Sequence, residues 1–179
     1  MRKVSLVAAS AFAVAFAFAS VAQAQDAANG LSAGAKSLSF SIPSGGNGYA
    51  GNAAGLWMMM GPTMNLGINV GLSYASSDAA SPYALLLAPA IRMYMDTSSS
   101  VAPFYFGQLN LLIANNDNGN DEDDAPEMSV AGGLGVEWFP VKAFSVSGHV
   151  GLGAKVLGQE GAPKTLGTFT SGLTAQMYF

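Results

Sequence analysis

The first candidate for chemistry is the only histidine of the chain, His149, which shares a predicted strand face with Ser147. A serine hydroxyl activated by an imidazole is a common nucleophile, and a carboxylate must orient that imidazole. If residues 140–143 form a turn, Glu137 pairs near Ser145, about 13 Å along the strand from His149 at about 3.3 Å per residue. The spacing therefore disfavours a triad and favours a histidine hydrogen-bonded to serines or water.

The acidic segment 115–127 is the second candidate, because its carboxylates lie among Asn and Gly residues. Calcium prefers oxygen ligands of this kind, so a weak site is one hypothesis. Its ligands would be Asp117, Asp121, Asp123 and Asp124. The EF-hand pattern fails, since Gly119 at position six places alanines at positions one and twelve. A hydrated, self-repelling loop is therefore the default prediction.

The run Trp57-Met58-Met59-Met60 is the third candidate, as a soft-metal or hydrophobic-ligand site. Methionine more often fills space against lipid or core, and that is the interpretation we favour. The Gly-rich segments 45–48 and 132–135 are not phosphate loops, because no predicted helix follows either of them. We therefore expect no cofactor and no firm metal site.

The composition restricts the class of protein that carries these residues. The 179 residues are 50% hydrophobic and only 10% charged, whereas about a quarter of residues are charged in ordinary soluble domains. Disorder is excluded by the same apolarity. The absence of cysteine excludes disulfides, thiolate zinc sites and cysteine nucleophiles. The net charge of −4 and the lack of a basic stripe argue against a nucleic-acid partner.

The N-terminus has the organisation of a secretory signal peptide. Arg2 and Lys3 precede the apolar run 4–19, and Ala22-Gln23-Ala24 supplies the small residues that a signal peptidase reads. We predict that residues 1–24 are cleaved.

Apolar residues in the rest of the chain fall on alternate positions, which predicts strands with two different faces. The pattern is clearest over residues 66–74, 130–138, 143–156 and 168–179, where large apolar residues alternate with Gly, Ser, Thr, Gln or charged residues. Weaker stretches at 38–42, 54–60, 83–95 and 102–113 bring the count to eight, with the phase of the second strand ambiguous. Connections alternate between short turns and long polar loops, as in an up-and-down barrel with both termini on the short-turn side. Because unpaired backbone groups are costly in hydrocarbon, strands that span a bilayer must close into a barrel. The fold class predicted is thus all-β, an eight-stranded antiparallel up-and-down transmembrane β-barrel.

This arrangement predicts where two sets of side chains lie. Arg92 and Glu137 should project inward near the short-turn end, where they are predicted to pair, joined by Gln108 or Tyr94, and to fill the lumen. The complete lumen network predicted is Arg92, Gln108, Glu137, Ser147, His149 and Lys155. Aromatic residues near strand ends are predicted to form interfacial girdles. These are Trp57, Tyr83, Tyr94, Tyr105, Trp138 and Tyr178.

The signal peptide, the Gly-rich alternating strands, the segment 135–139 before a short turn and the closing Met177-Tyr178-Phe179 resemble the small eight-stranded outer-membrane β-barrel family of Gram-negative bacteria. The resemblance covers residues 34–179 and leaves residues 25–33 as a short N-terminal periplasmic segment. It implies that the barrel assembly machinery reads the terminal strand, through Leu173, Ala175, Met177 and Phe179. It further implies periplasmic termini, extracellular long loops and contact with outer-membrane lipids and lipopolysaccharide. A bridge through Ca²⁺ or Mg²⁺ from the acidic loop to lipopolysaccharide phosphates is a separate hypothesis. We expect a monomer.

Three functions remain open for such a barrel. The leading hypothesis is a non-enzymatic protein with a structural or surface-interaction role. The first alternative is a narrow, porin-like conduit for small hydrophobic molecules. The second is a lipid A-modifying hydrolase or acyltransferase using Ser147 and His149, although the hydrolase family places its histidine before its serine. A soluble lipocalin-like barrel is the structural alternative, and it would put the apolar face inside.

Overall fold

The structure is a computed structural model that describes residues 29–44, 53–74, 83–115, 126–157 and 166–179. The predicted signal peptide at residues 1–24 and the candidate calcium ligands Asp117, Asp121, Asp123 and Asp124 lie outside the described residues.

Eight strands form within these described ranges, and each pairs antiparallel with its neighbour along the chain. They are β1 (Lys36–Ser44), β2 (Ala53–Met59), β3 (Met64–Tyr74), β4 (Tyr83–Tyr94), β5 (Val101–Asn115), β6 (Glu127–Val141), β7 (Phe144–Leu157) and β8 (Leu166–Tyr178). The first strand also pairs with the last, so that Ser37 lies opposite Tyr178 and the sheet closes. The predicted eight-stranded up-and-down barrel is therefore confirmed.

No helix in the described part of the chain is long and apolar enough to cross a membrane.

Period-two alternation separates the two faces of the wall as predicted. In β7, Val150 and Leu152 point outward and are 47% and 56% exposed, whereas Ser145 and Ser147 are buried inside. The ambiguous phase of β2 is also resolved, because Leu56 points outward and Trp57 inward. The outer surface is thus apolar and the lumen carries the polar side chains.

Small residues make room for the large side chains inside. A Cβ on Gly67 would overlap the ring of Trp57, one on Gly135 would overlap the ring of Phe104, and one on Gly172 would lie 2.9 Å from Nε2 of His149. These three inward glycines therefore leave room for aromatic side chains in a narrow barrel.

The β6–β7 hairpin is tighter than the sequence predicts. Only Lys142 and Ala143 form the turn, because β6 continues through Pro140 to Val141. The pairing of β6 with β7 shifts register between Trp138 and Val141, where the proline cannot donate a ladder hydrogen bond. Glu137 consequently lies opposite Ser147. The prediction that Glu137 pairs near Ser145, four residues short of His149, was wrong by two residues.

Candidate functional site in the barrel lumen

A buried charged cluster occupies the short-turn half of the lumen, and we call it the base cluster. Its side chains come from β1, β4, β6, β7 and β8, all at inward positions of the alternation. Because these strands lie on different sides of the barrel, the cluster exists only in the closed sheet. It consists of Ser37, Arg92, Tyr94, Glu137, Ser145, Gln176 and Tyr178.

Glu137 is the centre of the base cluster and is fully buried. Its Oε2 accepts hydrogen bonds from Arg92 Nη1 at 3.1 Å and from the Tyr94 hydroxyl at 2.6 Å. Its Oε1 accepts from the Tyr178 hydroxyl at 2.7 Å and from Ser145 Oγ. A buried carboxylate is costly unless it is paired and hydrogen-bonded, and here four donors satisfy both oxygens.

Arg92 is held by further contacts on its own side of the cluster. It also donates to Gln176 Oε1, and Gln176 Nε2 in turn donates to Ser37 Oγ at 2.9 Å. The guanidinium carbon lies 4.5 Å from the ring centroid of Trp57 and 4.9 Å from that of Phe104. Both contacts have cation–π geometry, so the positive charge is stabilised without access to water.

An apolar layer covers the base cluster on its short-turn side. Tyr94 packs edge-on against Phe104 with ring centroids 5.7 Å apart, and Phe139 packs against Tyr178 at 5.4 Å. These rings join a single buried apolar group with Leu31, Met59 and Ala102. The apolar layer therefore separates the buried charges from solvent at the short-turn end of the barrel.

The chain before β1 completes the closure. Asn29 Nδ2 donates to the carbonyl oxygens of Thr97 and Ser99, each at 2.8 Å, and this ties the segment to the β4–β5 turn. Leu31 follows and inserts into the apolar layer. A Cβ at position 30 would lie 2.7 Å from the Lys142 carbonyl oxygen, so only glycine fits there. No periodic signal marks this segment in the sequence, and its role as a cover was not predicted.

The β4–β5 turn that receives Asn29 is itself organised by Asp96. Asp96 Oδ1 accepts hydrogen bonds from the backbone N–H of Ser98 at 2.8 Å and from Ser98 Oγ at 2.7 Å. Because these bonds favour the ionised form, they lower the pKa of the Asp96 carboxyl below its ordinary value.

The six residues of the predicted lumen network do not form one network. Gln108 donates to Asn110, and Asn110 donates to Ser129 Oγ at 3.2 Å, so Gln108 does not join Arg92 to Glu137. Tyr94, the other predicted link, does donate to Glu137. Lys155 pairs with Glu127 on the adjacent strand. These groups lie in the long-loop half of the lumen, because their positions in the strands are farther from the short turns than Arg92 and Glu137.

Ser147 and His149 share the inward face but have different surroundings. The imidazole of His149 packs against Phe106, with ring centroids 4.7 Å apart and an angle of 60°, and lies over Gly172. Ser147 Oγ is buried and has no hydrogen-bond partner among the residues that the structure describes. The hydroxyl is therefore not activated by the imidazole in this arrangement, and the nearby carboxylate of Glu137 is occupied by its four donors.

Half of the predicted interfacial aromatics were assigned to the wrong face. Tyr94 and Tyr178 lie in the base cluster, because each is two residues from an inward polar residue, Arg92 and Gln176 respectively. Trp57 is also inside, and its Nε1 donates to Ser39 Oγ at 2.9 Å. The outward aromatics among those predicted are Tyr83, Tyr105 and Trp138.

The outward face of the terminal strand β8 is apolar. Leu173, Met177 and Phe179 are exposed on the outside, and Ala175 shares their face. Recognition of these four residues by the assembly machinery stays a prediction.

Within the described ranges no group of three His, Asp or Glu side chains is placed to hold a metal ion.

Comparison with known proteins places the fold. No model of a known protein family matches the chain, and no curated protein matches it. The N-terminal β-barrel domain of Pseudomonas aeruginosa OprF is similar with a TM-score of 0.53 at 10% identity, covering 82% of this chain and 98% of that chain. E. coli outer membrane protein W is similar with a TM-score of 0.50 at 16% identity, covering 83% of this chain and 99% of that chain. The chain therefore has the fold of eight-stranded outer-membrane β-barrels.

Proposed function

We propose that this protein is a non-enzymatic outer-membrane barrel, closed at its short-turn end, that serves envelope structure or surface interaction through its long loops. The observation that carries the proposal is the filled base of the lumen. The base cluster, the apolar layer and the segment starting at Asn29 lie one behind another across the same end. A barrel of eight strands has little interior beyond its side chains, so these groups leave no continuous aqueous path.

The apolar outer surface supports a position in a membrane. Leucine, isoleucine and valine cover the outward positions of the wall, which in a soluble monomer would be an unusually large exposed apolar surface. Tyr74 and Tyr83 are opposite each other near the long-loop end, while Tyr105 and Trp138 lie nearer the short turns. Aromatics at both borders of an apolar band about 25 Å tall are typical of outer-membrane barrels.

The orientation and the partners belong to the same proposal. The termini face the periplasm and the long loops face outward, in contact with lipopolysaccharide, because short turns lie on the periplasmic side in barrels of this type. The barrel is monomeric and is inserted by the assembly machinery through its terminal strand. A lipid A-modifying role lacks support, since Ser147 and His149 are not hydrogen-bonded to each other.

A conduit for small hydrophobic molecules is the second candidate, and one feature of the wall favours it. Leu87 pairs with Leu111 and Ala90 with Gln108, but Ala88 and Pro89 have no β5 partner in the described ladder. Proline lacks the N–H that a ladder requires. The β4–β5 seam is therefore the place where a molecule entering from the long-loop side would leave sideways. If this is the function, Pro89→Val should slow the entry of a small hydrophobic compound into cells.

Conductance across planar bilayers tests the closed barrel. The wild type should show no stable conductance steps. A triple variant that still shows the gel shift on heating should show small conductance steps under the same conditions. Its Leu31→Ala and Phe139→Ala substitutions thin the apolar layer, and its Glu137→Ala substitution disrupts the base cluster. Steady conductance by the wild type, at the level of this variant, would contradict the proposal. Fractionation with the outer membrane and a shift in gel mobility on heating report the membrane location and the closed barrel separately.

A further inference from the structure

Five of the nine methionines of the chain lie together on the outer surface, where they form what we call the methionine patch. The three consecutive methionines at positions 58–60 alternate between the two faces of the wall. Met59 points inward and is 2% exposed, whereas Met58 and Met60 point outward. The fold then brings methionines of β3 and β4 beside them. The patch consists of Met58, Met60, Met64, Met93 and Met95.

The sheet register sets the distances within the patch. Met60 N donates to Met64 O at 2.8 Å, closing the β2–β3 hairpin, and Met64 is directly opposite Met93 on β4. Adjacent strands are about 4.8 Å apart, so the three side chains form one row across neighbouring strands. Met58 precedes Met60 by two residues and Met95 follows Met93 by two, which puts both on the same outer face.

The side chains of the patch are exposed on the outer surface of the barrel. Met58, Met60, Met93 and Met95 are 41%, 51%, 53% and 48% exposed, and Met64 is half-buried. The patch borders the turn at residues 61–63, in which Pro62 and Thr63 are exposed. It therefore lies at the rim of the barrel, where water and dissolved ions reach it, and not at the middle of the apolar band.

Packing against lipid does not require methionine at these positions. Leucine, isoleucine and valine supply most outward positions elsewhere on the wall. Thioethers differ from those side chains in one chemical respect, because their sulfur is a soft ligand that selects Cu(I) and similar ions. The three rotatable bonds of each methionine allow sulfurs from adjacent strands to converge on one ion.

We propose that the methionine patch is a binding site for a soft monovalent d¹⁰ cation, Cu(I) or its analogue Ag(I). Met60, Met64 and Met93 supply the thioether ligands, and Met58 or Met95 completes the coordination. The site depends on strand register and exposure only, so it is independent of whether the lumen conducts.

Silver titration of the refolded full barrel in detergent tests this proposal, with Ag⁺ in a chloride-free nitrate buffer as the probe. Calorimetry should show saturable binding of about one Ag⁺ per chain, and M60L/M64L/M93L should weaken it at least tenfold. The matched control, M128L/M177L, replaces methionines outside the patch and should bind as the wild type does. Heating shifts on gels verify that all three proteins are folded.

Carbon-13 methyl spectra of the methionines give an independent readout. The signals of Met60, Met64 and Met93 should move on addition of Ag⁺, while those of Met59 and Met177 stay in place. Wild-type binding that is absent, that M60L/M64L/M93L leaves unchanged, or that moves the Met177 signal as much as the patch signals would overturn the proposal.

Discussion

Arg92 on β4 and Glu137 on β6 meet at 3.1 Å inside the barrel, although β5 separates their strands in the sheet. The ion pair therefore passes over β5 on the inner side of the wall. Both partners are almost completely buried, with side chains 5% and 0% exposed. Their attraction is available only after the sheet has curved, so this contact reports the closed state of the barrel.

Removal of one partner should be strongly destabilising. Glu137→Ala leaves the Arg92 guanidinium buried without its carboxylate and leaves two tyrosine hydroxyls without an acceptor. We expect a loss of ~3–5 kcal/mol in the free energy of unfolding, measured by denaturant titration in lipid vesicles.

The ion pair between Lys155 and Glu127 supplies the matched control, because its side chains are 25% and 39% exposed. Glu127→Ala should cost less than about 1 kcal/mol. Equal losses at positions 127 and 137 would show that burial of Glu137 carries no special energetic weight.

The covering segment should loosen when its anchor is removed. Asn29→Ala deletes two 2.8 Å hydrogen bonds to the β4–β5 turn and one acceptor for the Leu31 N–H. We expect the free energy of local opening to fall by about 1–1.5 kcal/mol. Hydrogen exchange at the Leu31 amide should then accelerate about tenfold, while β1 amides keep their rates. Ser98→Ala alters the same turn without touching Asn29 and should leave the Leu31 rate nearly unchanged. Unaltered exchange in Asn29→Ala would mean that Leu31 alone holds the segment.

Crowding around His149 predicts a rescue. Gly172→Ala places a methyl group against the imidazole and should destabilise the barrel by about 1–3 kcal/mol, as measured by denaturant unfolding. His149→Ala in the same chain removes the obstacle and should restore most of the loss. Gly148→Ala is the control, because nothing lies within 4 Å of its added methyl group. Failure of the double variant to recover would place the strain in the backbone and not in the side-chain contact.

Asp96 should titrate below its ordinary pKa of 3.8, first because of the Ser98 backbone N–H and then because of the Ser98 hydroxyl. The lower pKa in the folded chain means that the contribution of Asp96 to stability is present above the unfolded pKa and is lost as the pH falls through the folded value. Nuclear magnetic resonance of the Asp96 carboxyl carbon measures the midpoint. Ser98→Ala should move that midpoint upward, and a wild-type midpoint at or above 3.8 would contradict the turn geometry.

The fold was predictable because alternation is a local property of the sequence. Apolar residues at every second position fix which side of a strand is outward, and this placed Arg92 and Glu137 inside from their parity alone. The same rule would have placed Tyr94 and Tyr178 inside, two residues from Arg92 and Gln176. The girdle prediction was wrong for these two tyrosines, because strand parity decides which face they occupy.

The other misjudged contacts depend on information that no single strand contains. The residue of β7 that lies opposite Glu137, and hence the separation of Glu137 from His149 along the strands, is set by the register shift between Trp138 and Val141. Gln108 does not reach Glu137 while Tyr94 does, and this difference depends on how the strands are staggered around the barrel. Asn29 binds a turn 68 and 70 positions away through backbone carbonyls, which carry no sequence signature.

The central claim, an apolar outer wall facing lipid around a sealed polar interior, is tested most directly by tryptophan quenching with brominated lipids. The two tryptophans lie on opposite faces, with Trp138 53% exposed outside and Trp57 5% exposed inside. In vesicles, the variant Trp57→Phe, which keeps Trp138, should lose most of its fluorescence to bromine in the acyl chains, and Trp138→Phe, which keeps Trp57, should lose little. Strong quenching of Trp57 with weak quenching of Trp138 would contradict the claim.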